Sequence, residues 1–270
     1  MNSHTEKLVR FQRPERSLPY LPGLGPDRVA PLFGLTVDEY EKLCADLDEQ
    51  ARWAAAALLD DAAVAAAVDR LPFRADQHVV ALGESSTADR LSWFEILRHL
   101  LDLRRPHDAI RLTNLAVSGA TTTQTLTLAA ALGFHNPDWV VCQLGANDAQ
   151  RIGGAGGPRL VGLSETERNL RILRSRAPRA AQWLWLTPTT VDEARIATFE
   201  PFRRIGIAWT RADIADTATV LHDLADLTID VENDTLPDGE DPLLLDDGVH
   251  ATLAGQQAVA ASFVAALAES

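Results

Sequence analysis

The chain reads as an α/β protein. The expected form is a three-layer α/β/α sandwich around a five-stranded parallel sheet in a flavodoxin-like order, 2-1-3-4-5, with an N-terminal helical appendage. Two observations carry this. From position 77 onward, short apolar runs alternate with stretches of helical periodicity. Such alternation makes βαβ units and a sheet covered by helices on both faces. Before position 77 the only apolar periodicity is helical. The expected division is therefore 1–75, an arm plus helical appendage, and 76–270, the main domain.

Residues 1–35 are rich in proline and glycine (Pro14, Pro19, Pro22, Gly23, Gly25, Pro26, Pro31, Gly34) and read as an extended surface arm. Thr36 and Glu39 form a capping box, and Val37, Tyr40, Leu43, Cys44 and Leu47 follow at helical spacing toward Leu59. Asp60-Asp61 can cap a second helix through Val68, which Leu71-Pro72 ends. The alanine-rich stretch between reads as a tight helix–helix contact. Strands are expected at 79–82, 110–115, 139–144, 183–186 and 227–231. Helices are expected at 92–103, 122–132, 165–174, over most of 207–224, and at 253–267. The box Ser164-Glu165-Thr166-Glu167 should open the third of these.

Composition excludes several classes. Hydrophobic residues make up 46% and charged residues 23%, an ordinary globular balance. The net charge of −13 argues against nucleic acid or an anionic membrane as the main partner, since both need a basic face. Five Lys/Arg against three Asp/Glu in residues 1–28 is too weak a bias for a binding arm. The opening residues lack the apolar core of a secretory leader, and no apolar run is long enough for a transmembrane helix. Cys44 and Cys142 both sit in core patterns and read as reduced. A cytoplasmic location is expected, although an exported protein without its leader reads the same.

Four stretches at loops carry chemistry: Gly83-Glu84-Ser85-Ser86, the segment from Asn114 to Thr121, Leu144-Gly145-Ala146-Asn147-Asp148, and Asp246-Asp247-Gly248-Val249-His250. The first three follow strands and the fourth precedes the last helix. The carboxyl ends of strands are where open α/β sheets place their sites. A serine hydroxyl needs an adjacent base to become a nucleophile, usually a histidine. That histidine needs a carboxylate to fix its tautomer. Asp247 and His250 are three apart, within one turn. Gly119, Asn147 and the Ser85 amide can supply donors for an oxyanion.

At these four stretches the chain resembles the SGNH hydrolases, the GDSL-type esterases and lipases. The resemblance covers about 76–270. It implies catalytic roles for Ser85, His250 and Asp247, and an oxyanion hole of Ser85, Gly119 and Asn147. LGANDAQR and DDGVH are closest to the small bacterial lysophospholipase and arylesterase type. One departure stands out: the usual Gly-Asp-Ser is Gly83-Glu84-Ser85, which leaves the hydrogen bonding of the first loop open. There is no Gly-x-Ser-x-Gly nucleophile elbow.

The remaining features read as structure. Gly153 to Pro158 neither directly follows a strand nor opens a helix, so it is a loop rather than a phosphate cradle. The acidic run from Asp230 to Asp247 lacks the glycine a calcium loop needs at its turn. His4, His78, His99, His107, His135 and His222 show no metal spacing. Trp139, Trp183 and Trp185 read as core, and Trp93 as either pocket wall or helix packing.

No cofactor or metal is expected. Three functions fit: a serine carboxylic-ester hydrolase, an acyltransferase passing the same acyl group to an alcohol, or a catalytically silent binding protein. The joint presence of all five site residues favours an enzyme. Its substrate would be a small-molecule, lipid or glycan ester. Acyl length, leaving group and oligomeric state stay open.

Overall fold

A computed structural model describes residues 3–18, 21, 23–235 and 242–270. The strands are β1 (His78–Gly83), β2 (Arg111–Asn114), β3 (Trp139–Gln143), β4 (Arg151–Ile152), β5 (Gln182–Leu186), β6 (Ile207–Ala208) and β7 (Leu227–Ile229). Five of them form a sheet in the order β2-β1-β3-β5-β7, with every pairing parallel. With β4 and β6 set aside, this is the expected 2-1-3-4-5. β4 and β6 make a separate antiparallel ribbon, which the sequence reading lacked because two-residue strands show no periodicity.

Alternate residues of a strand point to opposite faces, and the core divides accordingly. Val79, Ala81, Val141, Leu184 and Leu186 pack on one face, against the helices Val37–Leu59, Ala62–Arg70, Trp93–Arg104 and Leu253–Glu269. Val80, Leu82, Val140, Cys142, Trp183 and Trp185 pack on the other, against Leu163–Arg176 and Arg211–His222. β1 is buried at every position, as suits a central strand of a covered sheet.

The capping box at Thr36 and Glu39 forms, and the helix behind it ends at Leu59. Asp61 caps the next helix, which continues past Val68 to Arg70. Residues 1–35 depart from the extended arm expected. They contain helices at Ser3–Phe11, Pro14–Ser17 and Pro26–Val29 and a 3-10 turn at Ala30–Phe33. Pro14 and Pro26 sit at the start of helices, where proline's missing N–H costs nothing. Val9, Phe11, Val29 and Ala30 are buried.

Other differences are local. The helix Leu163–Arg176 starts two residues before Glu165, with Gly162 as its N-cap, so Ser164 lies inside it and its box does not form. Thr210 caps Arg211–His222, and Ile207 belongs to β6 instead. Two short helices, Glu193–Thr198 and Glu200–Ile205, were not anticipated. The glycine-rich segment is a turn held by Ile152 N–H to Pro158 O at 3.0 Å and Gly153 N–H to Gly206 O at 2.7 Å. Trp93 is fully buried between Phe94 and Phe263, so of its two readings the packing one holds. Cys44 and Cys142 are both unpaired. Of the acidic run, 236–241 lie outside the described residues; Asp230 accepts from the Thr187 hydroxyl and the Glu232 amide. Among the described residues no helix is long and apolar enough to cross a membrane.

Candidate active site

Because β1 lies between β2 and β3, the loops after these three strands open side by side. β1 ends in Gly83, where a Cβ would come within 2.6 Å of the Thr87 Cβ. The bare glycine lets the chain turn at once into the short helix Ser85–Ala88, with Ser85 as its first residue. Gly83 O also accepts from Val117 N–H at 3.1 Å, tying in the loop after β2. That loop turns through Gly119 in the left-handed region, φ +79, a conformation glycine adopts freely.

The fourth loop folds back on itself. Asp247 Oδ1 accepts from the amides of Val249 (3.0 Å) and His250 (2.9 Å). This brings the imidazole onto its own carboxylate: His250 Nδ1 is 3.0 Å from Asp247 Oδ2, and Nε2 is 3.1 Å from Ser85 Oγ. A proton on Nδ1 satisfies the carboxylate and leaves the Nε2 lone pair facing the serine hydroxyl. Burial opposes the charge on Asp247. The hydrogen bonds and charge of His250 and a bond from Lys7 outweigh it and hold the carboxyl well below its ordinary range. Gln256, on the last helix, accepts from Trp93 N–H at 2.9 Å and donates to Ser86 O at 3.1 Å. It thereby joins the histidine-bearing end of the chain to the serine loop.

The loops that carry the oxyanion candidates are bound to one another. Asn147 Nδ2 donates to Ala120 O at 3.2 Å, next to Gly119. The N–H groups of Ser85 and Gly119 have no partner among the described residues. Glu84, the departure in the first loop, spans β1 to β3. Its two carboxyl oxygens accept from Ala146 N–H and Asn147 N–H, each at 2.9 Å. Burial pushes Glu84 up to about 8, against its amide bonds and with the charge of Asp148 adding to it. Asp148 is buried and accepts from Thr122 N–H (2.8 Å) and the hydroxyls of Thr122 (2.5 Å) and Thr166 (3.0 Å). Burial pushes its carboxyl up despite those bonds.

Sequence reading missed the contribution of the N-terminal helix Ser3–Phe11. Lys7 Nζ lies 2.8 Å from Asp247 Oδ2, and the Phe11 ring centroid lies 4.7 Å from that of His250. Arg10 anchors the helix. Its guanidinium takes both oxygens of the fully buried Asp89, at 2.7 and 2.6 Å, and also donates to Ala251 O. Arg90 donates back to the carbonyls of Arg10 and Val9. Only a long-range contact distinguishes these cations from other surface ones, so no local signal marked them.

A cavity of about 300 Å3 opens at His250, between this helix and Phe199 and Phe202. A larger one, about 580 Å3, is lined by Trp139, Gln182 and Leu227 at the amino ends of their strands, at the opposite edge from these groups.

Solved structures share the fold. An α/β hydrolase enzyme from the metagenome of Lake Arreo, Spain, is 22% identical, with 72% of this chain and 96% of that one covered and a TM-score of 0.56. An acetylxylan esterase from Geobacillus stearothermophilus, solved as a catalytic mutant, is 20% identical over 72% and 95%, with a TM-score of 0.57. A further acetyl xylan esterase is 20% identical over 70% and 98%, at 0.54. Comparison with curated proteins gives no match. The model of the GDSL-like lipase/acylhydrolase family matches residues 81–258, which contain all four loops. The chain belongs to that family and is a carboxylic-ester hydrolase of the GDSL type.

Proposed function

We propose that this ester hydrolase works through an acyl-enzyme on Ser85. His250 Nε2 takes the Ser85 proton as Oγ attacks the ester carbonyl carbon. The carbonyl oxygen becomes an oxyanion facing the Ser85 and Gly119 amides and the Asn147 side chain. Collapse breaks the bond to the alcohol oxygen, and His250 returns the proton to that leaving group. Water then repeats the cycle: His250 takes its proton, hydroxide adds to the acyl carbon, and Ser85 leaves with the proton back on Oγ. Asp247 keeps the imidazole in the required tautomer and stabilises its cation.

One observation carries this reading. His250 contacts Ser85 through one ring nitrogen and Asp247 through the other, at 3.1 and 3.0 Å. A silent binding protein has no use for that arrangement. Transfer to an alcohol shares every step up to the acyl-enzyme, and the apolar cavity at His250 suits an acceptor alcohol as well as a leaving one. Incubation with an ester and excess hexanol separates the two, since a transferase yields the hexyl ester. A panel of p-nitrophenyl esters of rising chain length, on the wild type and Ser85→Ala, tests the core reading. Turnover should vanish in the variant at every length; activity close to wild type would reject it.

We infer that residues 76–270 form the hydrolase domain and 1–75 its N-terminal cover. The two unpaired cysteines support a cytoplasmic setting.

A further inference from the structure

We propose that the N-terminal helix Ser3–Phe11 and the corner Phe199–Phe202 together form the pocket for the leaving alcohol of the ester, and that this alcohol is apolar. The proposal rests on the reading of Ser85 as the acylated residue.

The helix lies outside the stretch 81–258 that the family model matches, yet it is docked onto the site. Arg10 grips a carboxylate that solvent does not reach, and Asp89 is four residues past Ser85 on the same loop. A buried bidentate pair fixes an element far better than an exposed ion pair does. The docked helix encloses space beside the imidazole. Leu8 and Phe11 line one side of the cavity, Phe199, Pro201 and Phe202 the other, and His250 borders it.

The side of the ester that enters follows from which site residues border this space. His250 and Asp247 do, and of the loop after β2 only Ser118 does; Ser85, Gly119 and Asn147 are not among its walls. In ester cleavage the carbonyl oxygen faces the oxyanion donors, while the alcohol oxygen faces the group that protonates it. The substituent on the alcohol oxygen therefore extends past Nε2 into the space His250 borders.

Its chemistry follows from the walls. Three phenylalanines, a leucine and a proline make most of the wall, and the polar groups His4, Lys7, Gln12 and Ser118 complete it; an apolar group fits the larger, apolar part. Lys7, the nearby cation, is already engaged with Asp247. Leu8, 37% exposed at the cavity, contributes little to the core, so an apolar ligand gives it a purpose. A dry cavity of about 150 Å3 accepts benzene; about 300 Å3 has room for an aryl group or a medium alkyl chain.

The test holds the acyl group at acetyl and varies the alcohol through ethyl, butyl, hexyl and benzyl acetate, leaving groups of similar acidity. In the wild type kcat/KM should rise with the alcohol by up to about four-fold per methylene buried. Leu8→Gln, at a half-exposed position that folding tolerates, and Phe199→Ala should each flatten that rise, with circular dichroism confirming that both fold. Ethyl esters of acetic, butyric and hexanoic acid provide the other arm, and the variants should move this series less. A flat alcohol series in the wild type, variants that shift the acyl series instead, or faster turnover of acetylated xylose than of hexyl acetate would each overturn the proposal. Fluorophosphonate labelling separates the two readings. Labelled Ser85 with a flat alcohol series rejects the pocket alone, whereas unlabelled Ser85 and no turnover of any ester rejects the acyl-enzyme and the pocket with it.

Discussion

Two regions meet at His250, and they are built differently. On one side are the loops after β1, β2 and β3. Their groups hang from neighbouring strands of the parallel sheet and are bound to one another: Glu84 holds two amides of the Asn147 loop, and Asn147 holds Ala120. On the other side is a single nine-residue helix, held by Arg10 on Asp89 and by the buried side chains of Val9 and Phe11, with Lys7 reaching Asp247. The first region owes its geometry to the sheet, and the second to a few long-range contacts on a separate segment. Changes in the first should therefore show in chemistry, and changes in the second in docking and selectivity.

The largest effects belong to the sheet side. His250→Ala should lower kcat by about 10² to 10⁴, the usual worth of a general base, with thermal stability close to wild type. Retained turnover in steady-state assays would reject its role. Asn147→Ala should lower kcat by about 10² to 10³, the cost of one oxyanion donor. An effect on KM alone would mean that the side chain binds substrate without meeting the developing charge.

On the helix side, Arg10→Met should cost about 3–5 kcal/mol of docking, because it leaves Asp89 buried without its cation. Hydrogen exchange should then quicken across 4–11 while the amides of β1 stay protected. Unchanged exchange would show that the helix is held by something else.

Glu84 gives a smaller effect with a definite sign. Its folded pKa, about 8, is raised above the ordinary glutamate value of about 4.3. The stability it contributes is full below that ordinary value and is lost as pH rises through about 8. Melting temperature should fall between pH 5 and 8.5, and fall less in Glu84→Gln, which cannot titrate. Equal slopes in differential scanning calorimetry would contradict this assignment. Lys7→Met should do least, changing kcat by less than about five-fold, because the Lys7 side chain is 43% exposed and Asp247 keeps the His250 ring and two backbone amides as partners without it. A ten-fold change would make Lys7 part of the chemistry.

The same contrast explains what the sequence revealed. Ser85, Gly119 and Asn147 could be proposed together because a parallel sheet brings the ends of neighbouring strands side by side, whereas Asp247 and His250 were proposed from their spacing of three in the loop before the last helix. Lys7, Arg10 and Phe11 were opaque: their partners lie 79 to 241 residues away, and no local periodicity encodes such a contact. Proline content was misleading, because Pro14 and Pro26 begin short helices rather than prevent them. Glu84 was visible as a departure, but its reach to the Ala146 and Asn147 amides needed the register of β1 against β3.

The central claim is covalent, and mass spectrometry tests it directly. Wild type, Ser85→Ala and His250→Ala would each be treated with a fluorophosphonate, weighed intact and mapped by proteolysis. The account predicts one adduct on the wild type, located on Ser85, no adduct on Ser85→Ala, and labelling of His250→Ala slowed by orders of magnitude. An adduct on another residue, or undiminished labelling of Ser85→Ala, would contradict it.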